Sequence, residues 1–305
     1  MTIKSPKHLQ NDALLICTRN RFNELDNLSK TLNNCAYLPE ILVIIDASDE
    51  FNEEFLKHIF GGIFSKVLIK HTTASLPYQR NIGTKLLPLH VQNVHFIDDD
   101  FHPEPFYFYH LSNFLNKSNF TILGSGGSLI STKNKSNTSV FHTLFNLDSH
   151  IPGIVLSSGR TTEPQAITTS IFAYSTQFLS GCSMSFKKST FESFSFDEHL
   201  SGYAQDEDLA FCLQLPKNSL YVVPEAKGRH LKSLSNRLVD FTFKKSSVIN
   251  RFYVMNKYAP TVFNKSSFYF SLLGQTLILA KHPIKNLNLI KGLVSGWIEI
   301  LKKEF

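Results

Sequence analysis

The sequence predicts a protein of the α/β class, in which a mostly parallel β-sheet is flanked by helices and followed by a helical C-terminal extension. Between residue 13 and about residue 125, short apolar runs alternate with longer stretches of helical spacing, which is the pattern of repeated βαβ units. The apolar runs are rich in Ile, Leu and Val, as expected for strands covered on both faces. The 305 residues, of which 42% are hydrophobic, are enough to bury a large core.

Five strands joined by helices are predicted in the first part of the chain. The strands are ALLICT (13–18), ILVIID (41–46), KVLIK (66–70), VHFID (94–98) and TILGSG (121–126). Three crossover helices are predicted at residues 22–32, 51–59 and 78–87.

Polar residues close three of these strands. In a Rossmann-like sheet of this kind, ligands bind beyond the carboxyl ends of the strands, where the strand order reverses. We therefore expect Thr18, Asp46 and Asp98 to line one crevice.

The next part of the chain is predicted to be a long loop followed by a few regular elements. Residues 131–176 are rich in Ser, Thr and Asn with weak periodicity, which indicates a looped insertion near the crevice. Regular structure is expected to resume near residue 178, with a helix at 206–214 and the strand SLYVVP at 219–224. Beyond residue 230 the pattern is helical.

The charge is divided unevenly along the chain. Residues 227–305 contain 14 Lys or Arg against three acidic residues, a net +11, whereas the remainder has 17 bases against 22 acids, a net −5. Such a basic tail points to an anionic partner, either a lipid surface or nucleic acid. No stacking-aromatic or reader motif accompanies the charge, so nucleic-acid binding is not expected.

The last helix is predicted to be amphipathic. Its apolar residues recur at helical spacing, and they are Ile290, Leu293, Val294, Trp297, Ile298 and Leu301. That face suits the interface of an anionic membrane, and packing on the body of the protein is equally permitted. The longest apolar stretch nearby, SSFYFSLLGQTLILA, is too short to cross a bilayer.

The N-terminus and the cysteines favour the cytoplasm. The first residues, MTIKSPKHLQND, are polar and lack the apolar core of a secretory signal. The four cysteines, Cys17, Cys35, Cys182 and Cys212, show neither CxxC spacing nor the density of a disulfide framework. We expect them to be reduced and mostly buried.

Three carboxylates in a row, Asp98, Asp99 and Asp100, follow the fourth predicted strand. Adjacent like charges repel, by about 1 kcal/mol at 4 Å even in bulk water. A divalent cation would relieve that repulsion, because Mg²⁺ and Mn²⁺ take carboxylate oxygens and share their remaining positions with substrate phosphates. The alternative is an acidic turn whose carboxylates face water.

Six segments taken together resemble the family-two nucleotide-sugar glycosyltransferases, which have the A-type glycosyltransferase fold. They are LLICTRNR (14–21), ILVIIDASDE (41–50), YQRNIGTKLL (78–87), HFIDDDF (95–101), LSGCSMSFKKSTFESFSFDEHLSGYAQDEDLAFCL (179–213) and GRH (228–230). Their order and spacing match across residues 12 to 232. The resemblance implies a glycosyltransferase domain at 1–232, with a nucleotide-sugar half at about 12–126 and an acceptor half at about 127–232, before a basic helical segment at 233–305.

The resemblance implies a donor site at the ends of the first strands and at the third helix. Thr18 and Arg19 match the family residues near the nucleotide, and Asp46 matches the position that binds the base or ribose. Arg80 and Asn81 match the RN pair near the donor diphosphate, where a guanidinium can bind phosphate through paired hydrogen bonds. The alternatives are a surface-exposed Arg-Asn-Arg turn for Arg21, a helix N-cap for Asp46 and a solvated helix face for the pair.

The resemblance also implies a metal site. Asp98 and Asp100 match the DxD motif of the family, in which the first carboxylate lies toward the ribose and the later one toward the metal, and Asp99 contributes to either. His230 matches a histidine that reaches the same cation in many relatives, although lone histidines are often structural.

The acceptor side is implied by QDEDL, residues 205–209. Asp206 matches the catalytic carboxylate and Asp208 the second acid of the motif, with Gln205 where the family usually has Glu. Cys212 is a second departure, because an Arg commonly stands there. These departures put the acceptor contacts in doubt more than the chemistry. A carboxylate at a helix N-terminus is also stabilised by the helix dipole, which is the structural alternative.

The implied activity is transfer of a sugar, with inversion and a divalent cation, from a nucleotide-diphosphate sugar to a hydroxyl group of a glycan or lipid-linked oligosaccharide. The association is with surface polysaccharide synthesis at the inner face of the membrane. Two alternatives stay open: a nucleotide-sugar-binding subunit without turnover, and an aspartyl-phosphate phosphatase with Asp98 as nucleophile. Three predicted strands precede Asp98, whereas that phosphatase family places its nucleophile after the first.

Overall fold

The computed structural model describes residues 6–130, 139–164, 170–200, 204–233 and 241–304. The strands within these ranges are β1 (Lys7–Thr18), β2 (Tyr37–Asp46), β3 (Lys66–His71), β4 (Asn93–Ile97), β5 (Phe101–Pro103), β6 (Gly124–Leu129), β7 (Tyr174–Thr176), β8 (Ser183–Lys187) and β9 (Leu220–His230). The helices are α1 (Phe22–Asn33), α2 (Glu53–Phe60), α3 (Leu76–Lys85), α4 (Tyr107–Lys117), α5 (Val140–Leu144), α6 (Glu207–Cys212), α7 (Phe241–Tyr258), α8 (Lys265–Ala280) and α9 (Leu287–Glu304).

The strands form one mixed sheet in the order β3-β2-β1-β4-β8-β6-β9-β5, with β7 also paired to β9. Strands β3, β2, β1, β4, β6 and β9 run in one direction, and β8, β5 and β7 oppose them. The predicted α/β fold, with a mostly parallel sheet flanked by helices and a helical C-terminal part, is confirmed.

The sheet separates two apolar cores because side chains of a strand alternate between its faces. In β1, Leu15 joins one core and Leu14 the other, and in β2 the same division separates Val43 from Leu42. These residues are almost completely buried. Their continuous apolar runs are therefore explained by coverage on both faces.

The three C-terminal helices form a third apolar cluster. It contains Val248 of α7, Phe268 and Leu272 of α8, and Leu293 and Ile300 of α9. Gly292 and Gly296 allow α9 to approach α7 closely, because a Cβ at either position would lie within 3 Å of backbone oxygens of α7. Of the predicted amphipathic face, Leu293 is buried in this cluster, whereas Val294 and Ile298 are exposed.

The predicted elements differ from the structure mainly in where they begin and end, and several short elements between them were not predicted. β1 begins at Lys7, six residues before the predicted strand, and contains an irregularity near Asn11, which has a positive φ of 67°. The short strands β5, β7 and β8 and the helices α4 and α5 were not predicted. Part of the predicted loop, residues 131–138 and 165–169, lies outside the described residues. In the described ranges, no helix combines the length and the hydropathy that a membrane span requires.

Candidate active site

A cavity of about 690 Å³ opens at the carboxyl ends of β1 and β4. The end of β1, the start of α3, the turns at 180–182 and 204–208, and His230 complete its wall. Six predicted site residues on the donor and metal side line it, and they are Thr18, Arg19, Arg80, Asp98, Asp99 and His230, whereas Asp100 does not. The expectation that strand ends meet at one crevice holds for Thr18 and Asp98, whereas Asp46 does not line this cavity.

The three consecutive carboxylates point in different directions. Asp98 is about one-third exposed and faces the cavity, whereas Asp99 and Asp100 are buried. Asp99 accepts a hydrogen bond from Thr18 Oγ1 at 2.7 Å. Asp100 pairs with Arg21 and His230, at 2.9 Å each, and accepts from the backbone N–H of Ser233. The cationic and hydrogen-bonding partners of Asp99 and Asp100 therefore offset the repulsion between the three adjacent carboxylates.

Different surroundings give the two buried carboxyl groups different protonation behaviour. Burial raises the pKa of Asp99 to about 7, although Arg21 and the Thr18 hydrogen bond oppose this rise. Burial would also raise the pKa of Asp100, but the hydrogen bond and charge of His230, together with Arg21, hold it below its ordinary value. Asp100 is thus kept as a carboxylate, which is the form that binds a cation.

Asp98, Asp100 and His230 form a candidate metal centre. One ligand atom from each of them lies within 4.8 Å of the others. His230 Nε2 is 3.6 Å from Asp98 Oδ2 and 2.9 Å from Asp100 Oδ1. Two carboxylate oxygens and one imidazole nitrogen suit Mn²⁺ or Mg²⁺, and the exposed side of Asp98 leaves room for oxygen ligands from a substrate. The residues present therefore fit a divalent cation.

Arg21 is a site residue that the sequence reasoning did not include. It lies at the start of α1, and its guanidinium contacts both Asp99, at 3.1 Å, and Asp100. Arg19, which was predicted, is instead half exposed and pairs with Asp49. The only signal in the sequence was the Arg-Asn-Arg spacing, because nothing in it shows which of the two arginines turns toward the acids.

Arg80 connects the metal side of the cavity to the opposite wall. It is almost completely buried, donates to Glu207 of α6 and to Gly181 O at 3.0 Å, and lies 3.9 Å from Asp98. The aromatic ring of Phe196 packs over its guanidinium, with 5.3 Å from Cζ to the ring centroid. The guanidinium is therefore tied to protein partners, and its contact with a donor diphosphate stays a prediction.

Two other predicted donor residues lie away from the lining of the cavity. Asn81 accepts from the backbone N–H of Phe196 and donates to Phe196 O and to Glu198. Asp46 is fully buried, and one of its oxygens accepts from the backbone N–H of Ser48 at 2.7 Å. Its other oxygen has no hydrogen-bond partner among the described residues. Neither of these two residues lines the cavity.

The acidic turn before α6 forms the wall opposite the metal centre. Asp206 is the N-cap residue of α6 and has a positive φ of 68°, yet its side chain does not cap the helix. Asp208 accepts from the backbone N–H of Gly181 at 2.7 Å, and burial raises its pKa. Burial likewise raises the pKa of Glu207, to about 8, against the charge of Arg80. Gln205 and Asp208 also line the cavity, and their contact with an acceptor stays a prediction.

Two side chains of helix α7 contact the acidic turn before α6. Arg251 donates through Nε to Asp206 Oδ2 at 2.7 Å and through Nη2 to the other oxygen, and its Nη1 donates to Gly159 O. The neighbouring Asn250 donates to the backbone oxygen of Gln205. The sequence reasoning missed Arg251, because a basic helix gives no sign that one of its arginines turns inward to a distant carboxylate.

No protein-family model and no curated protein matches this chain. Solved structures do match. A structure of GalNAc-T7 with UDP, GalNAc and Mn²⁺ superposes with a TM-score of 0.60 at 16% identity, over 80% of this chain and 47% of that one, so the match spans about half of its length.

Two further structures match over more of their own length. The mannosyltransferase PcManGT from Pyrobaculum calidifontis, in complex with GDP-Man and Mn²⁺, has a TM-score of 0.53 at 10% identity, over 97% of this chain and 88% of that one. S. aureus TarS 1-349, in complex with UDP-GlcNAc, has a TM-score of 0.51 at 12% identity, over 90% and 74%. At these identities the likeness shows the fold, which is the A-type glycosyltransferase fold.

Proposed function

We propose that this chain is a metal-dependent glycosyltransferase that moves a sugar from a nucleoside-diphosphate sugar to a hydroxyl group of a glycan or lipid-linked acceptor. One observation carries the proposal: in the cluster of Asp98, Asp100 and His230, both Asp98 and His230 line the same cavity as Asp206. The matching structures support it, because all three contain a nucleotide or a nucleotide sugar and two also contain Mn²⁺.

Asp98, Asp100 and His230 would hold the cation. A divalent cation bound there supplies positive charge for the diphosphate leaving group, as Lewis-acid catalysis requires. Arg21 contributes indirectly by holding Asp100 in position. Thr18 does the same for Asp99 through its hydroxyl group. The donor half of the site is thus preorganised by side chains that pair with the carboxylates and not with solvent.

Asp206 is the proposed general base. It would take the proton from the acceptor hydroxyl as that oxygen attacks the anomeric carbon, in a single displacement that inverts the configuration. Bidentate pairing with Arg251 uses one lone pair on each carboxylate oxygen, so a lone pair of Asp206 remains for the acceptor proton. A correctly placed general base contributes about 10² to 10⁴ of the rate.

The test replaces Asp206 with asparagine and measures transfer and donor binding separately. Asp206→Asn should keep donor binding, measured by calorimetry, while transfer falls by about 10² or more. The anomeric configuration of the product, read by NMR, tests inversion independently. Transfer that survives within about tenfold would exclude Asp206 as the base.

One observation favours a second candidate, a nucleotide-sugar-binding subunit without turnover. Both oxygens of Asp206 are paired with Arg251, and Gln205 and Cys212 depart from the family pattern. A chain of this kind would bind the donor and the cation with neither transfer nor hydrolysis. Release of nucleoside diphosphate by the purified protein, with and without acceptor glycans, distinguishes the two candidates.

We further propose that the acceptor lies at the inner face of a membrane and belongs to surface polysaccharide synthesis. The support is the outer surface of the C-terminal helices, where Leu277, Ile284, Leu287 and Ile298 are exposed on a segment rich in lysine. Apolar side chains flanked by lysines suit an anionic lipid surface.

Vesicle sedimentation tests the membrane proposal. Leu277→Glu should weaken binding to phosphatidylglycerol vesicles by roughly tenfold or more. The substitution removes an apolar side chain that the lipid would bury, and it adds a negative charge that the anionic lipid repels. The matched control is Leu89→Glu, at a leucine that is almost fully exposed on the body of the protein. Equal loss in both variants, or no binding by the wild type, would contradict membrane docking through α8.

A further inference from the structure

A short segment, residues 196–198, lies between helix α3 of the candidate active site and helix α7 of the C-terminal part. We call these three residues the linking segment. On one side, the ring of Phe196 packs over the guanidinium of Arg80, and Glu198 accepts a hydrogen bond from Asn81 at 2.7 Å. The side chain of the residue between them, Asp197, instead contacts α7. The linking segment thus joins two helices that belong to different parts of the fold.

The carboxylate of Asp197 is buried, with only 4% of the side chain exposed, and it is surrounded by hydrogen-bond donors. Its Oδ2 accepts from the hydroxyl groups of Tyr253 and Tyr258, at 2.8 Å each, and from Nζ of Lys257 at 3.0 Å. Its Oδ1 accepts from the backbone N–H of His199 at 3.1 Å. Four donors from two directions therefore hold this carboxylate in one position.

The three donors on α7 also support one another. Nζ of Lys257 donates to the hydroxyl oxygen of Tyr253 at 2.7 Å, and it lies 5.2 and 5.0 Å from the ring centroids of Tyr253 and Tyr258. Burial would raise the pKa of Asp197, but the hydrogen bonds from Tyr258, Lys257 and Tyr253 hold it below its ordinary value. Asp197 is thus kept ionised, which is the form that accepts the strongest hydrogen bonds.

The backbone carries this contact on to α3. Asn81 accepts from the N–H of Phe196 and donates to its carbonyl oxygen, both at 2.9 Å. Because Phe196 and Asp197 are consecutive, a shift of Asp197 displaces both the ring that covers Arg80 and the peptide groups that hold Asn81. Arg80 and Asn81 are almost completely buried, so neither has room to follow such a shift without losing contacts.

We propose that Asp197 is a positioning residue, through which α7 fixes Arg80 and Asn81 of α3 for binding of the donor diphosphate. The ligand named here rests on the proposed function, whereas the link between the two helices rests on the contacts alone. None of the described residues of α7 lines the large cavity, so α7 acts on the donor side only through the linking segment. The same helix reaches the acceptor side through Arg251 and Asp206.

The double variant Tyr253→Phe/Tyr258→Phe tests the link, because it removes two of the hydroxyl donors to Asp197 and keeps both rings. Its Tm should fall by about 3–6 °C. Hydrogen–deuterium exchange in peptides that cover α3 should become about threefold to tenfold faster. The Kd of UDP or GDP, measured by calorimetry with Mn²⁺, should rise by about threefold to tenfold.

Phe60→Leu is the matched control, because it also lowers the Tm but lies in the apolar core on the other face of the sheet from Phe196. It should leave the exchange of α3 and the Kd of the nucleotide at their wild-type values. A conservative variant gives a second control. Asp197→Asn keeps an oxygen that accepts from the tyrosines, so it should bind the nucleotide more tightly than Asp197→Ala.

The two measurements separate this inference from the proposed function. Exchange in α3 that stays at the wild-type rate in the double variant, or that rises equally in Phe60→Leu, would overturn the link. Faster exchange with an unchanged Kd would overturn the positioning role. A wild-type protein that binds no nucleoside diphosphate with Mn²⁺ would refute the proposed function and the ligand named here, and exchange alone would then decide the link.

Discussion

The contact between Arg251 and Asp206 makes a quantitative prediction about stability. Arg251→Gln leaves the Asp206 carboxylate, whose side chain is only 12% exposed, without its cation. Two hydrogen bonds between charged groups are lost, each worth about 1.5–3 kcal/mol. Asp206 also lines the large cavity, so water can partly replace the guanidinium. We therefore expect a loss of about 2–3 kcal/mol, below the simple sum.

This loss converts to a measurable shift of the unfolding temperature. The unfolding entropy of a chain of 305 residues is about 0.6 kcal/mol per degree, so the Tm of Arg251→Gln should fall by about 3–5 °C. Arg229→Gln removes an exposed arginine and should shift the Tm by about 1 °C or less.

A double-mutant cycle separates the pair from other effects of the substitution. Asp206→Asn leaves Arg251 without its carboxylate, so it should also destabilise the protein. The double variant should be less destabilised than the sum of the two single variants, with a coupling energy of about 2 kcal/mol. Additive effects, within about 0.5 kcal/mol, would refute the inference that the C-terminal segment holds the proposed base.

Two further predictions concern pH and packing. Burial, together with the charges of Arg160 and Arg251, lowers the pKa of Lys244 on α7 to about 8, so the unfolded chain binds more protons than the folded chain between pH 8 and the ordinary lysine pKa of 10.5. The stability of the wild type relative to Lys244→Gln should therefore rise with pH across that interval. Gly228→Ala should destabilise the protein by about 1–3 kcal/mol, as measured by thermal unfolding. The reason is that the Cβ of an alanine at position 228 would lie 2.2 Å from the ring of Phe101 on the neighbouring strand β5.

Controls sharpen both of these predictions. A pH dependence shared by the wild type and Lys244→Gln would show that the pKa of Lys244 is not lowered in the folded chain. Gly62→Ala is the counterpart of Gly228→Ala, because a Cβ at Gly62 meets no atom within 4 Å. If both alanine variants were equally stable, the close approach at Gly228 would have no energetic consequence.

The apolar strands of the parallel half could be predicted from the sequence because their burial on both faces produces continuous apolar runs. The β3 prediction differs from the structure by one residue, and the β2 prediction ends at the same residue but begins four residues late. Strands β5 and β7 could not be predicted, since three-residue strands have no periodicity and depend on pairing with β9. Strand β6 was predicted three residues early, because the run from Thr121 contains apolar residues that precede the first paired residue, Gly124.

The residues of the candidate site could be predicted where they belong to a recognisable motif. They could not be predicted where their role depends on contact with a residue far away in the sequence. Asp98, Asp100 and His230, which the motif letters single out, lie close together in the folded chain, and their binding of a cation stays a prediction. Arg21 and Arg251 were missed because each contacts a carboxylate many residues away, a relation that only the folded chain shows.

The most direct test of the proposed function is calorimetric titration of UDP and GDP into the wild-type protein with Mn²⁺ and with EDTA. A nucleoside diphosphate should bind in the presence of Mn²⁺ and lose its binding in EDTA, and Asp100→Ala should abolish the metal-dependent part. Binding that is equally tight with and without the cation would contradict the assignment of Asp98, Asp100 and His230 as the metal centre of a glycosyltransferase.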